Sequence, residues 1–208
     1  MNTASNLILI GAGGHARSCI EVIEQEKKYR IVGLVGLEQE LGYKHLGYEV
    51  IATDNTLQGL SKDCPFALIS VGQILTSELR VKLYIDALNA GFKFPTIISP
   101  KAYVSPHATI GKGSIVMHGA VINSGVIIGE NCIINTNSLI EHDSKINDHC
   151  HISTGAILNG EVLIESGSFI GSGSIIRESI TVGANSIIGM GLTVRTNISS
   201  NSKFLGEV

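Results

Sequence analysis

Three consecutive side chains, Glu141, His142 and Asp143, stand out for the chemistry they could share. An imidazole takes up a proton near neutral pH. A carboxylate beside it fixes the tautomer and stabilises the cation that forms. Such a group can draw a proton from an attacking amine or hydroxyl. Neighbours along a strand point to opposite sides, so the sequence leaves open whether Asp143 or Glu141 supports the ring. Eighteen residues after His142 stands Gly160, and nine after it His151. His107 and His149 read as surface residues, and His118 has no assigned role. A second feature lies near the N-terminus. Gly11-Ala12-Gly13-Gly14-His15-Ala16 reads G-x-G-x-x-A and follows an apolar run, Leu7 to Ile10. Such a turn lets backbone N–H groups at a helix N-terminus approach a phosphate.

Elements must hold these groups in place. Stepping by six from Val104 to Val194 meets 16 residues, all Ile, Leu or Val. Four places after the anchors, 11 of the 15 residues from Ala108 to Leu192 are Ala, Ser or Cys. A period of six fits neither a helix nor one long strand. It fits a short strand and a corner, repeated, with the aliphatic anchor filling a prism and the small residue at the tight turn. Three units make a coil of 18 residues, which predicts a hexapeptide β-helix solenoid of about five coils. His142, two places after Ile140, then points off the wall. Gly160 lies one coil higher on the same face and would leave a slot for a thin, extended ligand. His151 is half a coil away, so His142 and His151 can share a site only if a neighbouring subunit supplies one of them.

The first half alternates strands and helices, which predicts a small parallel α/β sheet. Strands are expected at Leu7–Ile10, Tyr29–Gly36 and Phe66–Val71. Helices are expected after the Gly-rich turn, at Asp54–Leu60, and at Ser77–Ala90 with Gly91 as the cap. At the end of the second strand, Val35-Gly36-Leu37 stand where a dinucleotide-binding unit carries an acid. Residues 1–97 are also too few for two mononucleotide units. One nucleoside diphosphate suits the turn better than NAD; the bland reading is that it only packs strand against helix.

Composition narrows the classes. A chain of 208 residues with 24 Gly, 5% aromatics, no Trp and 16% charged residues points to repetitive β structure. A net charge of −3 argues against nucleic acid as partner. No apolar stretch reaches the length of a membrane span. The polar start, Met1–Asn6, argues against a signal peptide. Cys19, Cys64, Cys132 and Cys150 have no metal or redox spacing. They read as free thiols of a cytoplasmic protein, and no metal is expected.

Gly11–Ala16, the hexapeptide array, Asn135–Asp143 (NTNSLIEHD) and His151–Ala156 (HISTGA) carry a resemblance that covers nearly the whole chain. It resembles the bacterial sugar O- and N-acyltransferases related to sialic acid O-acetyltransferase and to the N-acetyltransferases of nucleotide 4-amino sugars. The resemblance implies a Rossmann-like α/β domain over residues 1–97 and a left-handed parallel β-helix over 98–208. It implies a homotrimer with acetyl-CoA bound between neighbouring solenoids. His142 is then the general base, with Asp143 or Glu141 in support. His151, Gly160, Gly189 and Gly191 are expected at the cofactor, pantetheine being the thin ligand beside Gly160. Gly11, Gly13, Gly14, His15, Gly36 and Gly72 are expected at the nucleotide sugar. Two departures stand out: many relatives carry Asp-Asp where this chain has Val35-Gly36, and a Gly-x-Pro-Ala tail where it has Leu205-Gly206-Glu207-Val208. The expected reaction is acetylation of the 4-amino group of a nucleotide-linked 4-amino-4,6-dideoxy sugar, in surface polysaccharide or glycan biosynthesis. The alternatives are O-acetylation of a sialic acid and an inactive binding solenoid.

Overall fold

The computed structural model describes residues 4–206. Met1–Thr3 of the polar start, and Glu207 and Val208, lie outside the described residues. The chain folds as two compact units. One runs to Gly72 and resumes over Glu78–Ile98; the other takes Gln73–Ser77 and the chain from Ser99 onward. The sequence had given no sign that the five residues after Gly72 would join the second unit.

The first unit contains β1 (Ser5–Ile10), α1 (Gly14–Glu26), β2 (Tyr29–Gly36), β3 (Lys44–His45), β4 (Tyr48–Thr53), α2 (Leu57–Asp63), β5 (Phe66–Ile69) and α3 (Glu78–Asn89). The sheet order is β3-β4-β2-β1-β5. All pairings are parallel except the short hairpin of β3 with β4. Leu7 to Ile10 are all buried, as a central strand covered on both faces requires. α1 ends at Lys27, whose backbone is left-handed and whose N–H closes on the Ile23 carbonyl. Gly91 after α3 is also left-handed, φ 96°.

Some expectations shift. The stretch from Asp54 splits into a 3₁₀ turn, Asp54–Thr56, and then α2. β5 stops at Ile69, short of Val71. β4 has no counterpart among the expected strands, because only Val50 and Ala52 of its six residues are buried. Two inward residues are too short an alternation to stand out.

The second unit is the β-helix. Two-residue strands recur every six residues from Tyr103–Val104 to Thr193–Val194. Up to Ile175–Ile176 each pairs in parallel with the strand 18 residues on, as Val121 does with Leu139 and His151 with Phe169. The strands form three faces around buried anchors such as Ile134, Ile140, Ile152 and Leu158. It is a left-handed parallel β-helix of hexapeptide repeats.

The corners explain the rest of the pattern. Every sixth residue from Gly113 to Gly191 has a positive φ, between 52° and 75°. Gly or Asn occupies most of these corners, residues that tolerate the left-handed region. Asp143, His149, Glu161 and Ser179 hold the others. The small residue one place later does more than fit. The Ser114 hydroxyl donates to the Gly129 carbonyl at 2.8 Å and accepts the Cys132 N–H at 2.9 Å. Ser144 and Ser168 repeat this arrangement. Each of these three buried hydroxyls thus ties its coil to the next and is satisfied both as donor and as acceptor.

Candidate functional site

His142 follows buried Ile140 and stands on a corner of the solenoid, its side chain 57% exposed. Its Nδ1–H donates to Asp143 Oδ2 at 2.9 Å. Adjacent strand residues could not meet this way. Asp143 can because it occupies a left-handed corner, φ 59°, which swings its side chain back toward the ring. Its other oxygen lies over Gly125, one coil below, where any side chain would strike it. Glu141 turns instead to the backbone, with Oε2 3.4 Å from the His142 N–H. Asp143 is therefore the ring's partner, and Glu141 acts on it only through charge.

The Cε1–Nε2 edge of the imidazole lies against Gly160. A Cβ there would sit 2.8 Å from both atoms. The slot expected for a thin ligand is filled by the base itself, so Gly160 makes room for the ring. The imidazole pKa is raised above 6.5, first by the hydrogen bond to Asp143. Desolvation opposes this, while the charges of Asp143, Glu141 and Glu161 add to it.

His151 is different in kind. It is buried, 6% exposed. Its Nδ1–H donates to the Gln73 carbonyl at 2.6 Å, and its Nε2 accepts from the Asn135 amide at 3.1 Å. The ring meets Phe169 edge-on at 5.2 Å. With both nitrogens engaged, His151 serves as a wall. It lines a largely apolar groove of about 470 Å³ with Leu75, Phe169, Ile187, Gly189 and Met190. Leu205 closes over Gly189, where a Cβ would lie 3.2 Å from the Leu205 backbone. Gly191 is a left-handed corner glycine, φ 68°. Neither it nor Gly160 nor His142 lines this groove. Met190, Asn135, Ser153 and Gly171 were not anticipated; with Gly189, expected at the cofactor, the last three form a stack along the groove. The stack had a signal: each residue follows an anchor, 18 residues apart.

In the first unit the Gly-rich turn forms a second cavity, about 250 Å³, lined by Gly11, Ala12, Gly13, Gly36, Glu40 and Asp54 among others. Gly11 has φ 118°, and a Cβ there would collide with Val71. The Ser70 hydroxyl donates to its carbonyl at 2.6 Å, and buried Arg80 donates to the Ile69 and Val71 carbonyls at 2.7 Å. Gly13 caps α1 in an extended conformation without a side-chain cap. A Cβ at Gly13 or Gly14 would meet nothing within 4 Å, so the approach to the helix N-terminus is open. Gly14, His15 and Gly72 are not among the lining residues; Gly72 packs 3.6 Å from the His15 side chain. Glu40 and Asp54 were not anticipated. Burial raises the Asp54 pKa; Lys82 opposes this and Asp86 adds to it.

The cysteines are buried and free. Burial pushes the Cys19 thiol up to about 12, with Arg80 opposing. Burial and then Cys132 raise Cys150 well above its ordinary value. Neither is a poised nucleophile. Among the described residues no cluster of three or more His, Cys, Asp or Glu could hold a metal, and no helix is long and apolar enough to cross a membrane.

Comparison with known proteins agrees with this construction. Residues 6–84 match the PglD N-terminal domain. Residues 125–160 match the bacterial transferase hexapeptide, and 107–141 and 161–195 the hexapeptide repeat of succinyl-transferase. No curated protein sequence matches significantly. Among solved structures, the acetyltransferase domain of PglB from Neisseria gonorrhoeae, in complex with acetyl coenzyme A, is 33% identical with a TM-score of 0.88, over 96% of this chain and 95% of that one. PerB from Caulobacter crescentus, in complex with CoA and GDP-perosamine, is 30% identical with a TM-score of 0.89, over 96% and 93%. WeeI from Acinetobacter baumannii shares the fold at 22% identity, TM-score 0.85, over 97% of each chain. Fold and repeats place the chain among the hexapeptide-repeat acyltransferases. More narrowly, it belongs to the family of nucleotide 4-amino-sugar N-acetyltransferases.

Proposed function

We propose that the protein transfers the acetyl group of acetyl-CoA to the 4-amino group of a nucleotide-linked 4-amino-4,6-dideoxy sugar in glycan biosynthesis. The observation that carries this reading is the exposed His142–Asp143 pair, in a chain similar over its length to PerB, whose structure holds CoA and GDP-perosamine. Acetyl-CoA supplies an acyl group activated as a thioester. The groove beside His151 fits its narrow arm: it is apolar, and Gly171 and Gly189 keep one side of it free of side chains. His142 Nε2 takes the proton that the attacking amine must lose. Asp143 holds the tautomer that leaves Nε2 as the acceptor, and stabilises the imidazolium.

The open glycines at the start of α1 receive the diphosphate. Gly13→Ala keeps the backbone N–H but puts a methyl in the diphosphate's approach, which should raise the KM for the nucleotide sugar about tenfold, as displacing one charge-assisted hydrogen bond would. Its melting temperature should not change, because the added methyl meets nothing. A KM equal to wild type would remove the turn from the binding site.

The assembly is a homotrimer in which one protomer's His142 faces a neighbour's groove. What supports this is that base and groove occupy different corners of one solenoid. Mixing inactive His142→Ala with inactive Met190→Glu should restore part of the activity through mixed sites. No recovery, or a monomer mass in solution, would count against it. The four free cysteines suit a reducing compartment, and the cytoplasm is the proposed location.

The deciding experiment measures CoA thiol release from acetyl-CoA with UDP-, GDP- and dTDP-linked 4-amino sugars and with sialic acids. Release with an amino sugar is the expected result. Turnover with sialic acids alone would replace this reading by O-acetylation, and no release with any acceptor would leave the inactive solenoid.

A further inference from the structure

We infer that Glu40 holds the ribose of the acceptor's nucleoside diphosphate, and that the enzyme therefore prefers a ribonucleotide sugar to a deoxyribonucleotide sugar. This rests on the nucleotide-sugar reading above and sharpens its substrate class.

In strand–Gly turn–helix units the diphosphate lies at the helix N-terminus, and a carboxylate at the end of the second strand accepts hydrogen bonds from the ribose hydroxyls. Here that strand ends at Gly36, and no acid follows it directly. The structure fills the place another way. A Cβ built on Gly36 would sit 2.8 Å from Glu40 Oε2, 3.0 Å from Val50 Cγ1 and 3.1 Å from Ala12 Cβ. The Glu40 carboxylate thus occupies the space into which a strand-end side chain would grow. It arrives from a 3₁₀ turn, Glu38–Glu40, that follows the strand. The Leu37 N–H donates to Oε2 at 2.8 Å and fixes its orientation. Glu40 lines the same cavity as Gly11 and Gly13 of the phosphate turn. Glu38, nearer in sequence, lines the neighbouring cavity with Thr53 and Asn55. A carboxylate accepts hydrogen bonds from both hydroxyls of a ribose diol, and a 2′-deoxyribose offers it one donor fewer.

The test is calorimetric titration of the full chain with UDP and GDP and with their 2′-deoxy counterparts. The deoxynucleotides should bind about tenfold more weakly, the effect of losing one hydrogen bond to a charged group. Glu40→Ala should weaken both kinds of nucleotide, the ribonucleotides more, and so abolish the preference. The turn carrying Glu40 buries no residue, so the fold should stand, which an unchanged melting curve would verify. Gly36→Asp should weaken all four ligands, since it drives one carboxylate into another. Equal binding of ribo- and deoxynucleotides by wild type would overturn the inference. So would a preference that survives Glu40→Ala and disappears in Asp54→Asn. Either result leaves the acetyltransferase reading intact. Failure of every nucleoside diphosphate to bind would overturn both.

Discussion

His142→Ala should lower kcat by roughly 10²–10⁴-fold, the usual contribution of a positioned general base. The KM values should barely move, and so should the melting temperature. The ring is more than half exposed and touches little besides Asp143 and Gly160, so its loss opens no cavity in the core. The pH profile provides a separate check. The reaction needs the neutral imidazole, so kcat/KM should fall as pH drops through the pKa of His142. That pKa is raised above 6.5, so the acid limb should lie above 6.5. Asp143→Asn removes the largest cause of the shift. It should move the limb toward 6.5 and lower kcat, since the ring no longer has a fixed tautomer. Full activity in His142→Ala, or a limb that stays in place in Asp143→Asn, would show that the proton leaves by another route.

The second large effect concerns stability. Gly111→Ala should lower the melting temperature by roughly 6–12 °C. The added methyl carbon would sit 2.5 Å from the carbonyl carbon and oxygen of Gly129 in the next coil. A backbone atom cannot step aside as a side-chain tip does, so two coils must separate locally. Overpacking of this kind costs about 3 kcal/mol, and each kcal/mol is worth about 2–4 °C in a chain of this size. Gly160→Ala is the contrast. The atoms nearest its methyl all belong to the ring of His142, which can rotate away, so it should cost activity and leave the melt unchanged. A Gly111→Ala protein that melts with wild type would show that the coils are less tightly stacked than these distances require.

The solenoid was legible because its period is enforced at every coil. Each anchor faces the same narrow interior, and each corner demands the same backbone. The α/β unit was legible where strands are buried on both faces, as at Leu7–Ile10, and lost at β4, which shows only Val50 and Ala52 to the core. At the site, the residue types pointed to His142, but the choice between its two acids stayed hidden. It turns on the positive φ of Asp143, and an aspartate at a corner gives no sign of that when the usual occupants are Gly and Asn. What stands beside Gly160 was hidden for a related reason: the sequence shows that a side chain is missing and not what occupies the gap. Glu40 was invisible because a carboxylate four residues beyond a strand has no fixed relation to its end until the intervening turn is known.

The eighteen-residue register also sets which changes in chain length this molecule can absorb. An insertion of eighteen residues between Val104 and Val194 adds one coil, lengthens the prism by about 4.8 Å and returns every later residue to its own face. An insertion of six rotates everything beyond it by a third of a turn. Placed between His142 and Gly160, six extra residues would set another hexapeptide above the imidazole; placed between Gly125 and Asp143, they would take away the floor on which the carboxylate rests. Length can therefore vary here only in whole coils, a constraint that acts on the spacing of residues independently of their identity.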